Sequence, residues 1–284
     1  MSFGHVIFGD NQFLGINHAS QLKAAEMQDR FSHPDAIIEV LGWAYDKGIR
    51  DFMFTTHERL EPAFHEIVAS RLFPEMNYIP CLPYAHKYAN AYSEGNLVSV
   101  LSKRLGACSK RGVLGAMART ATGDLSGLMQ MLVEVELLMT KGLRVRGVFL
   151  QNVIFDLIMG LHGTHILERF NCYVEDRFKA TPGYITINHP LAQQVLCDDI
   201  GIENPWICSF FNVAGLRMHP SKELVEQSYA NGRSRNIAMS VFASGVLDAR
   251  DSIAYVRNAR GLDSVLFGSS SRENIINNIK LLRN

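Results

Sequence analysis

Short apolar segments alternate with longer amphipathic segments along almost the whole chain. The apolar segments are rich in β-branched and aromatic residues, which favour β-strands. Eight of them predict strands, at residues 5–9, 51–56, 78–82, 146–152, 183–188, 206–212, 237–243 and 264–268. Helical spacing marks the segments between them, such as residues 34–48 and 124–142. Asp124 is a candidate N-cap of the second of these helices, and Gly142 lies where it would end.

Eight strands that alternate with helices predict a (β/α)8 TIM barrel, and a doubly wound open sheet is the alternative with the same alternation. The segment between the third and fourth strands, residues 94–143, is too long for one crossover. It predicts an extended connection of two helices. No repeat, low-complexity tract or Pro/Gly-rich linker interrupts the pattern, so we expect a single domain over residues 1–284.

Charge and composition narrow the class of protein. Lys and Arg number 28 against 28 Asp and Glu, which argues against a general nucleic-acid-binding surface. No apolar run reaches the length of a membrane span, and the first residues lack the pattern of a signal peptide. The five cysteines are scattered without metal-site spacing, which favours reduced thiols and a cytoplasmic location. We expect a small-molecule partner and neither nucleic acid nor membrane.

Polar side chains follow nearly every predicted strand. In TIM barrels the chemistry lies at the C-terminal ends of the strands, so these side chains are expected to face one cavity that binds a small polar molecule. The alternative is that many of them cap loops or bond to the backbone. The set is Asp10, Asn11, Gln12, His57, Glu58, His86, Lys87, Gln151, Asn152, Asn188, His189 and Asn212.

Four of these residues are candidates for acid–base chemistry. His57, with Glu58 beside it, can transfer protons near neutral pH, although on a continuing strand only one of the two would face the cavity. Lys87, next to His86, could protonate a carbonyl oxygen or form a Schiff base. A divalent metal held by Asp10, His57 or Glu58, His86 and His189 is a further alternative, although no helical ligand spacing supports it.

The C-terminal stretch "SVLFGSSSRENIINNIKLL" (264–282) has the form of an anion site. A strand ends at Gly268, where the backbone can pass close to a ligand, and a helix follows directly. Ser269, Ser270 and Ser271 offer backbone N–H groups at the positive end of that helix, and Ser271 is a candidate N-cap. Arg272 adds a guanidinium suited to a phosphate. A phosphate near the last strands is common in TIM barrels, and a capped helix without a ligand is the alternative.

This stretch resembles the last strand and helix of the aldo/keto reductases, with their G-[AS]-S-S-x-E-x-[IL] pattern and following Asn. "AYDKGIRDFMFTT" (44–56) and "SVFASGVL" (240–247) are also similar to that family, and together the matches cover less than half of the chain. The resemblance implies a TIM barrel that binds NADP. It assigns Gly268, Ser269, Ser270, Ser271 and Arg272 to the 2′-phosphate, and Asn278 to the adenine.

The family's catalytic tetrad is not matched. Its Asp after strand 2 is replaced by Met53 or Phe54, and its Tyr proton donor by Glu58 or Arg59. Its His after strand 4 is replaced by Gln151, and Lys87 is a displaced counterpart of its lysine. The resemblance therefore implies the barrel and an NADP-type or phosphate site, but not the family's usual acid–base set.

Three functions follow from this combination. The first is an aldo/keto-reductase-like enzyme that binds NADP and acts on a small polar carbonyl or alcohol with a substituted acid–base set, such as His57 and Lys87. The second is a lyase or isomerase of the aldolase or epimerase type, whose serine loop holds a substrate phosphate. The third is a non-catalytic sensor that keeps a nucleotide site.

Overall fold

The computed structural model describes residues 2–16, 21–83 and 125–283. Eight parallel strands close into a barrel in sequence order, because the first strand pairs with the last at Val6 and Val265. This closure confirms the TIM barrel and is inconsistent with the open sheet. The strands are β1 (Val6–Phe8), β2 (Asp51–Thr55), β3 (Asn77–Leu82), β4 (Gly147–Leu150), β5 (Thr181–Thr186), β6 (Trp206–Phe210), β7 (Arg235–Met239) and β8 (Leu262–Phe267).

Helices surround the barrel, and the predicted helix at residues 34–48 is confirmed as α2. Pro at its first turn has the fixed φ that suits a helix start. The helices in the described parts of the chain are α1 (Gln21–Arg30), α2 (Pro34–Asp46), α3 (Glu61–Ala69), α4 (Leu125–Glu136), α5 (Asn152–Gly160), α6 (Thr164–Tyr173), α7 (His189–Gln194), α8 (Lys222–Ala230), α9 (Ala249–Arg257) and α10 (Arg272–Arg283).

The connection between β3 and β4 contains one of the two predicted helices. The predicted segment 124–142 forms α4, and a 3-10 turn over Leu137–Thr140 completes it. The other helix was predicted at residues 96–112, which lie outside the described part of the chain.

Two apolar layers follow from the alternation of side chains along each strand. One set points into the barrel and includes Ile7, Met53, Ile79, Phe149 and Ile237. The other set, which includes Phe8, Phe52 and Phe54, points outward and packs against the helices. The interior is thus a filled core, and a ligand can enter only at an end of the barrel.

The N-terminal end of the barrel is closed. Phe3 packs edge-to-face against Trp206 at the start of β6, with 4.7 Å between ring centroids. Asp51 at the start of β2 accepts hydrogen bonds from the Gly4 N–H at 2.7 Å and from the Asn77 side-chain amide at 2.8 Å. These contacts leave the C-terminal end, where the polar strand ends lie, as the accessible end of the barrel.

Candidate active site

A cavity of about 990 Å³ opens at the C-terminal end of the barrel. Each strand contributes a residue at or just past its end, because parallel strands finish on the same side. The structure brings Asp10, Asn11, Gln12, Gln151 and Asn152 of the predicted polar set to this cavity. The residues that line the cavity near the ends of the strands also include Thr55, Cys81, Ile185, Phe210, Met239 and Phe267. The cavity therefore combines polar and apolar surface.

Asp10 lies at the end of the cavity nearest the barrel core and is only 6% exposed. Its Oδ2 accepts a hydrogen bond from the Thr55 N–H at 2.7 Å, which fixes the carboxyl between β1 and β2. The Thr55 hydroxyl in turn accepts a hydrogen bond from the Gln151 side-chain amide at 3.3 Å. Burial, which penalises the charged form, raises the pKa of Asp10 to about 7.

The Cys81 thiol, at the end of β3, also lines the cavity. Burial raises its pKa well above the usual value, and the nearby Asp10 carboxylate raises it further. The thiol is therefore neutral at physiological pH and is a poor nucleophile or metal ligand.

Gln12 and Gly268 meet where β1 and β8 end. The Gln12 side-chain amide donates to the Gly9 carbonyl at 2.7 Å, while its Oε1 is buried and has no hydrogen-bond partner among the described residues. A Cβ on Gly268 would overlap this oxygen, so glycine lets the Gln12 side chain lie against the end of β8 without moving. Because an unpaired buried acceptor is costly, Oε1 is suited to receive a donor from a ligand.

The serine loop, defined as Ser269–Ser271, forms the outer wall of the cavity. Ser271 caps α10, as predicted, by accepting the Asn274 N–H at 3.3 Å. Ser269 accepts the Ser271 N–H at 3.1 Å, which tightens the loop. Asn274 and Asn278, one turn apart on α10, face the same cavity. The N-terminal end of α10 therefore points towards the cavity wall.

Arg30 supplies a positive charge to this wall. It lies at the end of α1, lines the cavity and donates from Nη1 to the Ser270 carbonyl at 2.8 Å. Its guanidinium also lies 5.8 Å from the Trp43 ring centroid. The predicted cation, Arg272, is exposed and is not among the described lining residues. No local signal in the sequence connects Arg30 with a loop 240 residues away.

His57 and Glu58 are not among the described residues that line the cavity. Because β2 ends at Thr55, both residues belong to the next turn. The His57 Nδ1 accepts the Arg59 N–H at 3.1 Å, and Glu58 is exposed as the first residue of a 3-10 turn. The other two acid–base candidates, His86 and Lys87, lie outside the described residues. The catalytic roles of all four stay predictions.

Two of the predicted substrate-binding amides bond to their own loops. Asn188 caps α7 by accepting the Leu191 N–H at 3.2 Å. Asn212 is buried and clamps the loop after β6, accepting the Leu216 N–H at 2.9 Å and donating to the Leu216 carbonyl at 2.9 Å. Neither Asn188 nor Asn212 is among the described residues that line the cavity. Their observed contacts are those of the alternative in which such side chains cap loops.

His189, expected at the cavity, is the first residue of α7 and is instead fully buried. Its Nδ1 lies 2.7 Å from the Ser228 hydroxyl and its Nε2 lies 2.9 Å from Asn236 Oδ1. Its ring packs on Tyr229 at 4.5 Å. Burial lowers the pKa of His189 to about 4, so the neutral ring holds α7, α8 and β7 together.

This burial predicts a pH dependence of stability. The native pKa of His189 is about 4, against about 6.5 in the unfolded chain. The native state is therefore stabilised above the unfolded pKa, and this stabilisation is lost as the pH falls from about 6.5 to 4. We expect His189→Gln to reduce that loss by about 2–3 kcal/mol, measured by urea unfolding at several pH values. An unchanged pH slope in the variant would contradict the assignment.

The described residues contain no cluster of three or more His, Cys, Asp or Glu side chains that could hold a metal ion. Within the same residues, no helix is long and apolar enough to cross a membrane. The cysteines in these segments, Cys81, Cys172, Cys197 and Cys208, are free thiols.

The closed barrel, with its cavity at the C-terminal end, has the fold of the aldo/keto reductases, and nearly the whole chain superimposes on their solved structures. One is a Pseudomonas aeruginosa protein designated an aldo-keto reductase, with a TM-score of 0.62 and 11% identity over 99% of this chain and 90% of that one. Another is an aldo-keto reductase from Klebsiella pneumoniae in complex with NADPH, with a TM-score of 0.58 and 12% identity over 99% and 86% of the two chains. The resemblance suggested by residues 44–56 and 240–282 is thereby confirmed at the level of the fold.

The sequence itself matches no protein-family model and no curated protein. At 11–12% identity the superpositions establish the fold, and the chemistry must be argued from this chain's own residues.

Proposed function

We propose that this protein is an NADP(H)-binding oxidoreductase that moves a hydride to or from a small polar carbonyl or alcohol. The observation that carries the proposal is the continuity of the cavity. One space of about 990 Å³ extends from Asp10 at the barrel core to the serine loop and Asn278 at the rim. Ligand cavities usually occupy about 300–1,000 Å³, so this one lies at the large end, as a dinucleotide with a substrate requires.

The residues at the rim fit the phosphate end of NADP(H). The N-terminal end of α10 favours an anion, Arg30 adds positive charge to the cavity wall, and Arg272 lies exposed at the first position of that helix. Asn278 lines the same wall and is assigned to the adenine by resemblance. The unpaired Gln12 Oε1, in the lining of the same cavity, also fits a ligand that donates a hydrogen bond.

The residues nearer the core fit a small polar substrate. Bound NADPH supplies a hydride to a carbonyl carbon. Asn11, Gln151 and Asn152 offer hydrogen bonds that can orient hydroxyl or amide groups of the substrate. Phe210, Met239 and Phe267 line the cavity with apolar surface that limits the access of water to the reacting atoms. The cytoplasmic location drawn from the scattered thiols stays a prediction.

Titration with NADPH tests the proposal. Trp43, one of two tryptophans, packs under Arg30 and should report binding by fluorescence quenching. We expect micromolar affinity for NADPH and weaker affinity for NADH, which lacks the 2′-phosphate. Arg30→Met should weaken NADPH binding by about 10- to 100-fold, the effect of losing one charged contact, and NADH binding much less.

Two further variants sharpen this titration. Arg272→Ala should weaken NADPH binding less than Arg30→Met, because Arg272 is exposed and does not line the cavity. Arg235→Met is the matched control: Arg235 starts β7 at the closed end of the barrel, pairs with Asp263 at 2.8 Å and should leave NADPH affinity unchanged. No binding at millimolar NADPH would overturn the proposal. Binding of a sugar phosphate in its place would favour the lyase or isomerase alternative.

A further inference from the structure

Asp10 is the one buried carboxylate in the lining of the cavity, as far as the described residues extend. The other charged side chains of that lining, Glu26, Arg30 and Arg217, are exposed near the rim. The remaining ionisable group, the Cys81 thiol, is held neutral by burial and by Asp10 itself. Of these ionisable residues, Asp10 is therefore the one that can transfer a proton at the end of the cavity nearest the core.

The surroundings of Asp10 suit a group that carries a proton. The Thr55 N–H binds Oδ2 and fixes the position of the carboxyl without adding a positive charge. Burial then opposes ionisation, and the pKa of about 7 leaves both protonation states populated near neutral pH. No described basic side chain is bonded to this carboxyl; Arg30 bonds instead to the Ser270 carbonyl.

We propose that Asp10 is the general acid–base residue of this site, in place of the histidine, glutamate and lysine candidates suggested by the sequence. In the reducing direction, the carbonyl carbon would accept the hydride that bound NADPH would supply, forming a C–H bond. The C=O π electrons move to the oxygen, which takes the proton of the Asp10 carboxyl. After reduction, the Asp10 carboxylate regains a proton from solvent. Oxidation of the alcohol reverses both transfers, and Asp10 then releases the proton it has taken to solvent. This inference rests on the proposed function.

Asp10→Asn tests the inference with little change of shape, because the amide oxygen can still accept the Thr55 N–H. With the protein and saturating NADPH, we expect kcat for the best substrate of a carbonyl panel to fall by about 100-fold or more. The affinity for NADPH should stay within a factor of about two, since the contacts proposed for the cofactor phosphate lie at the rim. The limb of the pH profile near 7 should disappear.

Asp156→Asn is the matched control. The Asp156 carboxyl likewise holds a strand end, accepting the Thr186 hydroxyl at 2.6 Å and the Ile187 N–H at 3.2 Å. Asp156 is not among the described lining residues, so this variant should keep its kcat and pH profile. Equal losses in both variants would assign the effect to disturbed strand ends and overturn the acid–base role.

A second readout needs no turnover. In the protein without NADPH, the infrared band of a protonated carboxylic acid that disappears in Asp10→Asn should titrate with a midpoint near pH 7. A midpoint near 4, the value of an ordinary Asp, would overturn the inference. Unchanged kcat in Asp10→Asn would overturn this inference alone, whereas failure of the unaltered protein to bind NADPH would overturn the proposed function and the inference with it.

Discussion

Gly261→Ala is expected to destabilise the protein by about 2–5 kcal/mol, with two separate costs. Gly261 has φ +73°, where an L-residue pays about 1–2 kcal/mol. A Cβ there would also overlap the Tyr229 carbonyl oxygen, which is backbone and cannot rotate away. Because Tyr229 is fully buried, relief requires that α8 or β8 shift, which adds about 1–3 kcal/mol.

Gly232→Ala separates these two costs. Gly232 has φ +72°, but a Cβ there would meet no atom within 4 Å. We expect this control to lose only the conformational part, about 1–2 kcal/mol. Urea unfolding gives the two free energies, and the melting temperature should fall by about 2–4 °C for each kcal/mol lost. Equal losses in the two variants would show that α8 and β8 are not packed as described.

Gly261 also lies directly before the start of the strand that leads to the candidate phosphate site. The Gly261 carbonyl accepts a hydrogen bond from the Asn236 side chain at 2.8 Å, and the next residue begins β8. The serine loop follows at the other end of that strand. A shift of β8 in Gly261→Ala would therefore move the serine loop relative to Arg30.

Replacing Asp10 is expected to change how stability depends on pH. The native pKa of Asp10 is about 7, against about 4 in the unfolded chain, so the native state binds the proton more tightly. This contribution to stability is fully present below the unfolded pKa and is lost as the pH rises through about 7. Between pH 4 and pH 8, the free energy of unfolding of Asp10→Asn should therefore rise by up to about 4 kcal/mol relative to that of the unaltered protein.

Chemical unfolding of the two proteins at matched pH values measures this difference. The opposing contribution of His189 is present in both proteins and cancels when the free energies are subtracted. A difference that stays constant from pH 4 to pH 8 would mean that Asp10 has an ordinary pKa. That result would also remove the physical basis for an acid–base role of this residue.

Local sequence pattern was sufficient for the architecture. Every predicted strand occurs in the barrel with its ends shifted by at most a few residues, because buried parallel strands require continuous apolar runs that few other elements share. The N-cap at Ser271 was also predictable, because it depends on a hydrogen bond to the Asn274 N–H three residues along the chain, which the sequence displays directly.

The contents of the candidate site depended on tertiary structure. The sequence placed His57, Glu58, Asn188, His189 and Asn212 near strand ends, but whether such a side chain enters a cavity depends on where its strand stops and what its loop leaves unpaired. β2 ends at Thr55, and His57 in the following turn accepts the Arg59 N–H, while His189 has its partners on α8 and β7. Arg30 reaches Ser270 only because the barrel closes. The sequence by itself determined the TIM barrel and the serine loop, since both rest on local patterns. Only the tertiary structure decided that Asp10 is buried and lines the cavity, because burial depends on contacts between strands distant in sequence.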